Sequence, residues 1–99
     1  MSKQTVHVIV EVEALPPHVE ALKAGLRQLA QASRHEAGCL AYDVLADTAN
    51  PARMTITEVW SDAQALAAHR GSAHVAAAQA ELQGKLAAAP VIHELTSFG

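Results

Sequence analysis

Cysteine is nearly absent: Cys39 stands alone in 99 residues, so there is no intrachain disulfide and no cysteine set for zinc. With no positive charge close by in sequence to favour a thiolate, Cys39 is expected to be a small buried apolar side chain in a strand. Aromatics are as scarce, with one Trp, one Tyr and one Phe. The ten acidic and seven basic residues form no runs, and the net charge of -3 offers nothing to a phosphate backbone or an anionic lipid surface. Nucleic acid and membrane are therefore excluded as expected partners. No apolar stretch approaches the roughly 20 residues of a membrane span, and the N-terminus alternates where a signal peptide would run apolar. A reducing cytoplasm is the expected location. There is also no nucleophile elbow, P-loop, dinucleotide fingerprint or paired-carboxylate motif.

What is present is aliphatic and small. Alanine contributes 22 residues, as many as Val, Leu and Ile together, so core volume per residue is modest. The length suits a single domain spanning residues 1–99. A second copy of the chain is the expected source of extra burial.

Taken in order, Val6, Val8, Val10 and Val12 alternate with other residues at a period of two, which predicts a strand ended by Leu15-Pro16-Pro17. Val19, Leu22, Leu26 and Leu29 form one stripe of a helix running from His18 to near Arg34. Glu36-Ala37-Gly38 then supplies a turn. A strand follows with Leu40, Tyr42 and Val44 on one face, and the turn residues 47–51 return the chain through Met54, Ile56, Glu58 and Trp60 as a hairpin. Ser61 and Gln64 fit a capping box for a short helix carrying Leu66 and His69. Gly71-Ser72 breaks that helix, and a second piece with Val75, Gln79, Leu82 and Leu86 is expected to end at residues 87–90. Residues 91–98 read as a last strand. The fold class is therefore α+β, a ferredoxin-like βαββαβ unit with a four-stranded antiparallel sheet. Both helices lie on one sheet face, and the bare face is expected to pair with a second subunit.

His69 and His74 are the candidate catalytic residues, because imidazole can take and return a proton near neutrality. On an unbroken helix, residues five apart point about 140° away from each other. The break at Gly71-Ser72 lifts that restriction. The same spacing lacks the H-x-x-x-H pattern that places two ligands on one helix face, so no metal is expected. Trp60, Tyr42, Glu58 and Leu66 are the candidate substrate-binding side chains: Trp60 as a flat wall, Glu58 beside it on the strand, Tyr42 if the hairpin register brings it to the same face. Each also has an ordinary structural role available, and His7, His18, His35 and His93 are scattered singly.

Glu36-x-Gly38-Cys39-Leu40-x-Tyr42, then Asn50-Pro51, then Glu58-x-Trp60-x-Asp62-x-x-Ala65-Leu66-x-x-His69-x-x-Ser72-x-His74, with Leu82 and Leu86 ahead of a last strand, resembles the antibiotic biosynthesis monooxygenase family, which includes quinol monooxygenases. The resemblance implies a ferredoxin-like subunit that dimerises through its sheets into a dimeric α+β barrel. It also implies oxidation of a quinol-like or anthrone-like aromatic by dioxygen without flavin, metal or haem, so that no cofactor is expected. Haem-degrading relatives need an asparagine on the first strand, a second tryptophan and an axial histidine, where this chain has Val10, His69 and Gln79. A phosphate ligand, as in an isomerase relative, lacks clustered basic residues. The rival expectation is a non-catalytic dimeric small-ligand-binding or stress-response module of the same fold, favoured if both histidines face solvent.

Overall fold

Alternation in the first strand is realised as β1 (Val6–Glu13), whose Val6, Val8 and Val12 are buried while Glu11 is exposed. The structure, a computed structural model, describes residues 4–99. The two prolines make one turn of 3-10 helix, and α1 (Val19–Arg34) follows, burying Leu22, Leu26, Leu29, Ala30 and Ser33 against the sheet. Next come β2 (Cys39–Ala46), β3 (Arg53–Trp60), α2 (Ala63–Arg70), α3 (Ala73–Leu82) and β4 (Val91–Leu95). The strands form one open antiparallel sheet in the order β2-β3-β1-β4, the ferredoxin-like arrangement with its second helix in two pieces. Among the described residues no helix is long and apolar enough to cross a membrane.

The core lies between the helices and one sheet face, built from the β1 valines, Tyr42, Met54, Ile56, Trp60, the α1 leucines and Leu66. β3 alternates strictly, with Met54, Ile56, Glu58 and Trp60 inside. The β2–β3 turn holds itself together, as Asp47 Oδ1 accepts from Ala49 N at 2.7 Å and Asn50 Oδ1 accepts from Ala52 N at 3.2 Å.

Four local expectations need correction. Leu40 does not share the Tyr42 face: the register shifts between Cys39 and Ala41, and the bulged Leu40 is 59% exposed while Cys39 packs towards the core. The N-cap of α2 is Asp62, whose carboxylate accepts from Ala65 N at 2.8 Å, and not Ser61, whose backbone N–H donates to Gly38 O at 2.8 Å. The last helix stops at Leu82, because Gly84 takes a φ of 75° and the chain turns so that Leu86 bridges Ala14. β4 ends at Leu95, and Phe98 lies beyond it fully exposed.

Gly38 closes the turn between α1 and β2 and accepts from Ser61 N at 2.8 Å. It has a φ of 85°, and a Cβ there would lie 2.5 Å from Ala65 Cβ and 2.8 Å from Ser61 Oγ. Gly38→Ala is expected to destabilise the fold by about 2–4 kcal/mol, from left-handed strain and steric overlap together. A urea titration checks this; an unchanged midpoint would show that the β2 entrance can shift away from α2 freely.

Candidate functional site

The register Tyr42↔Glu58 and the period of two along β3 set Tyr42, Glu58 and Trp60 side by side on the helix face, as the shared-face reading required. All three are buried, with Trp60 at 0% exposure, and Leu66 of α2 packs into the same core. Trp60 Nε1 donates to Glu58 Oε1 at 2.9 Å, which satisfies the indole and holds the carboxyl in place. The indole ring faces the His69 imidazole, with centroids 4.5 Å apart and planes at 35°, and the Tyr42 ring lies 5.6 Å from the same imidazole. These side chains therefore form a packed wall behind His69. Trp60 has no surface open to a ligand in this arrangement.

His69 is the penultimate residue of α2 and His74 the second of α3. Ser72 makes the break between them: its hydroxyl donates to the His69 carbonyl at 2.6 Å and accepts from Val75 N at 3.4 Å, ending one helix and capping the next. The redirected chain brings the two rings to 5.9 Å between centroids. Both meet Glu36, the residue that sequence reasoning assigned only to a turn. A single carboxylate oxygen, Glu36 Oε2, lies 2.6 Å from His69 Nδ1 and 2.7 Å from His74 Nε2.

With Glu36 ionised, each of those facing nitrogens donates an N–H to the shared oxygen. In the neutral rings the lone pairs then sit on His69 Nε2 and His74 Nδ1. His69 Nε2 lies 3.8 Å from Glu58 Oε1, near enough for electrostatic coupling but too far for a hydrogen bond. The His69 side chain is 6% exposed and that of His74 28%, so the pair has an inner and an outer member. The two histidines do not both face solvent.

A cleft of about 300 Å³ opens between α1 and α3, lined by Leu22, Leu26, Leu29, Ala78 and Leu82, with His74 on its wall. Trp60, Glu58 and Leu66 do not line it. The carboxylate oxygen of Glu36 and one nitrogen from each histidine lie within 4.8 Å of one another, so the objection to metal binding drawn from helix spacing does not hold in the fold. His93 is paired across the β1–β4 edge with Glu11 at 3.4 Å, away from this cluster.

Burial dominates the electrostatics. It raises the Glu58 carboxyl above its ordinary range, against the opposing pull of the Trp60 N–H and His69. It also pushes the Tyr42 phenol up, with Glu58 adding to the shift. Burial, then Glu36 and Glu58, raise the Cys39 thiol, which leaves it a poor nucleophile and agrees with its structural reading. Because Glu58 holds its proton more tightly when folded, the native state binds more protons than the unfolded chain above pH about 4.5. The stability this carboxyl contributes is complete below that pH and is lost as pH rises through its folded value. Glu58→Gln keeps an oxygen to accept from Trp60 and removes the charge. It is expected to raise Tm at pH 7.5. The gain should vanish near pH 4; thermal melts showing an equal shift at both pH values would contradict this.

The family model described as Antibiotic biosynthesis monooxygenase matches residues 5–81. The chain belongs to the antibiotic biosynthesis monooxygenase family. The matched stretch contains Glu36, Tyr42, Glu58, Trp60, His69 and His74, so the whole cluster lies inside the family domain. Among solved structures, the PA3566 protein of Pseudomonas aeruginosa is similar at 30% identity and a TM-score of 0.92, over 100% of this chain and 99% of that one. The Rv0793 protein of Mycobacterium tuberculosis is similar at 26% identity and 0.91, over 96% of each chain. A structure named as an antibiotic biosynthesis monooxygenase shares the fold at 22% identity and 0.90, over 95% of this chain and 99% of its own. No curated protein matches the sequence.

Proposed function

We propose that this family member is a cofactor-independent monooxygenase that oxidises a quinol-like or anthrone-like aromatic with dioxygen. The observation that carries the reading is the pair of imidazoles joined at one oxygen of Glu36, with its outer member on the wall of an apolar cleft. Family membership and a fold shared with structures named as monooxygenases support the same reaction class.

In the proposed scheme the aromatic lies in the cleft, and His74, through Nδ1, accepts a proton from its phenol or activated methylene. Removing that proton raises the electron density of the ring enough for reaction with dioxygen. One oxygen atom enters the product and the other leaves as water, with the substrate supplying all the electrons. Glu36 holds His74 in orientation and stabilises the imidazolium that forms. His69, braced by Trp60 and Tyr42, fixes Glu36 from the inner side. Trp60, Tyr42 and Glu58 thus act on the substrate through His69 and Leu66 packs in the core with them, while the leucines of α1 and α3 make the apolar contact.

The bare sheet face and the edge strand β4, where Val91, Ile92 and Leu95 are exposed, support a homodimer formed through the sheet. Oxygen uptake against a panel of hydroquinones and anthrones tests the function. Uptake dependent on one of them is expected; tight binding of these aromatics with no uptake would favour the ligand-binding module.

A further inference from the structure

We propose that Glu36, His69 and His74 form a binding site for a divalent transition-metal ion of the zinc class. The inference does not rest on the oxidation proposed above: an ion held by these three side chains replaces the hydrogen bonds that the proton transfer uses, so the metal-bound and the reacting protein are separate states.

The donor set is two imidazole nitrogens and a carboxylate oxygen within 4.8 Å of one another, drawn from the turn after α1, the end of α2 and the start of α3. Three such ligands with a position left open suit zinc and its neighbours in the first transition row. Zinc–ligand distances of about 2.0–2.2 Å require donor pairs about 3.3 Å apart in a tetrahedron. Glu36 Oε2 stands 2.6 and 2.7 Å from the two nitrogens and the three donors lie within 4.8 Å of one another, so an ion that takes the place of the two shared protons needs the carboxylate to withdraw by roughly half an ångström and the two rings to adjust to the same spacing. Glu36 sits in a turn on a side chain with three rotatable bonds, and can make that movement.

Two further features point the same way. Glu36 and Glu58 bring two carboxylates to the cluster, and among the described residues their ion-pair partners within 4 Å are the two histidines. A dication would compensate that charge. Behind His69, on the nitrogen away from Glu36, stands Glu58 at 3.8 Å, itself anchored by the Trp60 N–H. A carboxylate that accepts the other ring N–H of a histidine ligand is the recurrent outer arrangement of metal sites, and Glu58 would complete it by closing on His69 Nε2 by roughly 0.8 Å. Trp60 and Tyr42 already clamp that ring. Entry is from the side of His74, the more exposed of the two imidazoles.

Cobalt(II) added to the chelator-treated protein provides the test, since it substitutes for zinc, absorbs visible light when bound and quenches a nearby indole. Trp60 is the sole tryptophan. The expected result is saturable quenching and visible absorbance at one ion per chain, reversed by zinc or by EDTA. Glu36→Gln and His74→Ala should each weaken binding at least ~10-fold with an unchanged far-UV circular dichroism spectrum. His18→Ala and His93→Ala should leave affinity as it is. Quenching that never saturates, or an affinity that Glu36→Gln and His74→Ala leave unchanged, would overturn the site.

Discussion

His69→Ala and His74→Ala in one chain are expected to lower dioxygen uptake with the best substrate by on the order of 10²–10⁴-fold, the range that a positioned acid–base group contributes. The single replacements should divide unequally. His74 is the ring on the cleft, so in the proposed scheme its loss removes the group that meets the substrate. His69→Ala leaves His74 in place but frees one side of Glu36, and should lower kcat with a smaller change in KM. Because both rings act through one carboxylate oxygen, their effects should be less than additive. A steady-state comparison of the four proteins decides this. Uptake unchanged in the double variant would remove both histidines from the reaction.

Trp60→Ala is expected to destabilise the domain by about 3–5 kcal/mol, the usual cost of truncating a fully buried aromatic. Total stability in a domain of this kind is about 5–15 kcal/mol, so Tm should fall by about 15 °C or more. Trp60→Phe separates the two contributions of the indole. It keeps most of the volume and the face on His69 but removes the N–H that donates to Glu58, leaving a buried carboxyl short of a partner at a cost of about 1–3 kcal/mol. The deficit should be relieved in Trp60→Phe combined with Glu58→Leu. A Trp60→Ala protein that melts within a few degrees of the native one would contradict the packing described for this wall.

Local pattern carried much of the fold. The valines of β1, the leucine stripe of α1 and the alternation of β3 each report a face through the nearest few residues, and the observed burial follows them. The helix break at Gly71-Ser72 was legible for the same reason, since glycine and a capping serine stand together. Where two neighbouring residues could both do a job, sequence chose wrongly: Ser61 and Asp62 are both good N-caps, and only the contact of Ser61 with Gly38 decides between them. The bulge at Leu40 and the Ala14–Leu86 bridge depend on partners far along the chain.

The site divides along the same line. His69, His74, Glu58 and Trp60 stood out by residue type. Glu36 did not, because a glutamate in a turn has an ordinary explanation, and its pairing spans 33 and 38 residues. The placement of Glu36-x-Gly38 in the family pattern was the one available signal. For Trp60 a core anchor and a substrate wall were both open, and the Tyr42 and His69 rings packed on the indole decide for the core.

The shared carboxylate is the claim on which the site rests, and the ring nitrogens report on it directly. In a long-range ¹H–¹⁵N spectrum of the labelled protein near neutral pH, His69 should carry a proton on Nδ1 and His74 on Nε2, and Glu36→Gln should disturb both rings together. A His69 protonated on Nε2 alone, or ring signals that Glu36→Gln leaves unmoved, would contradict the account.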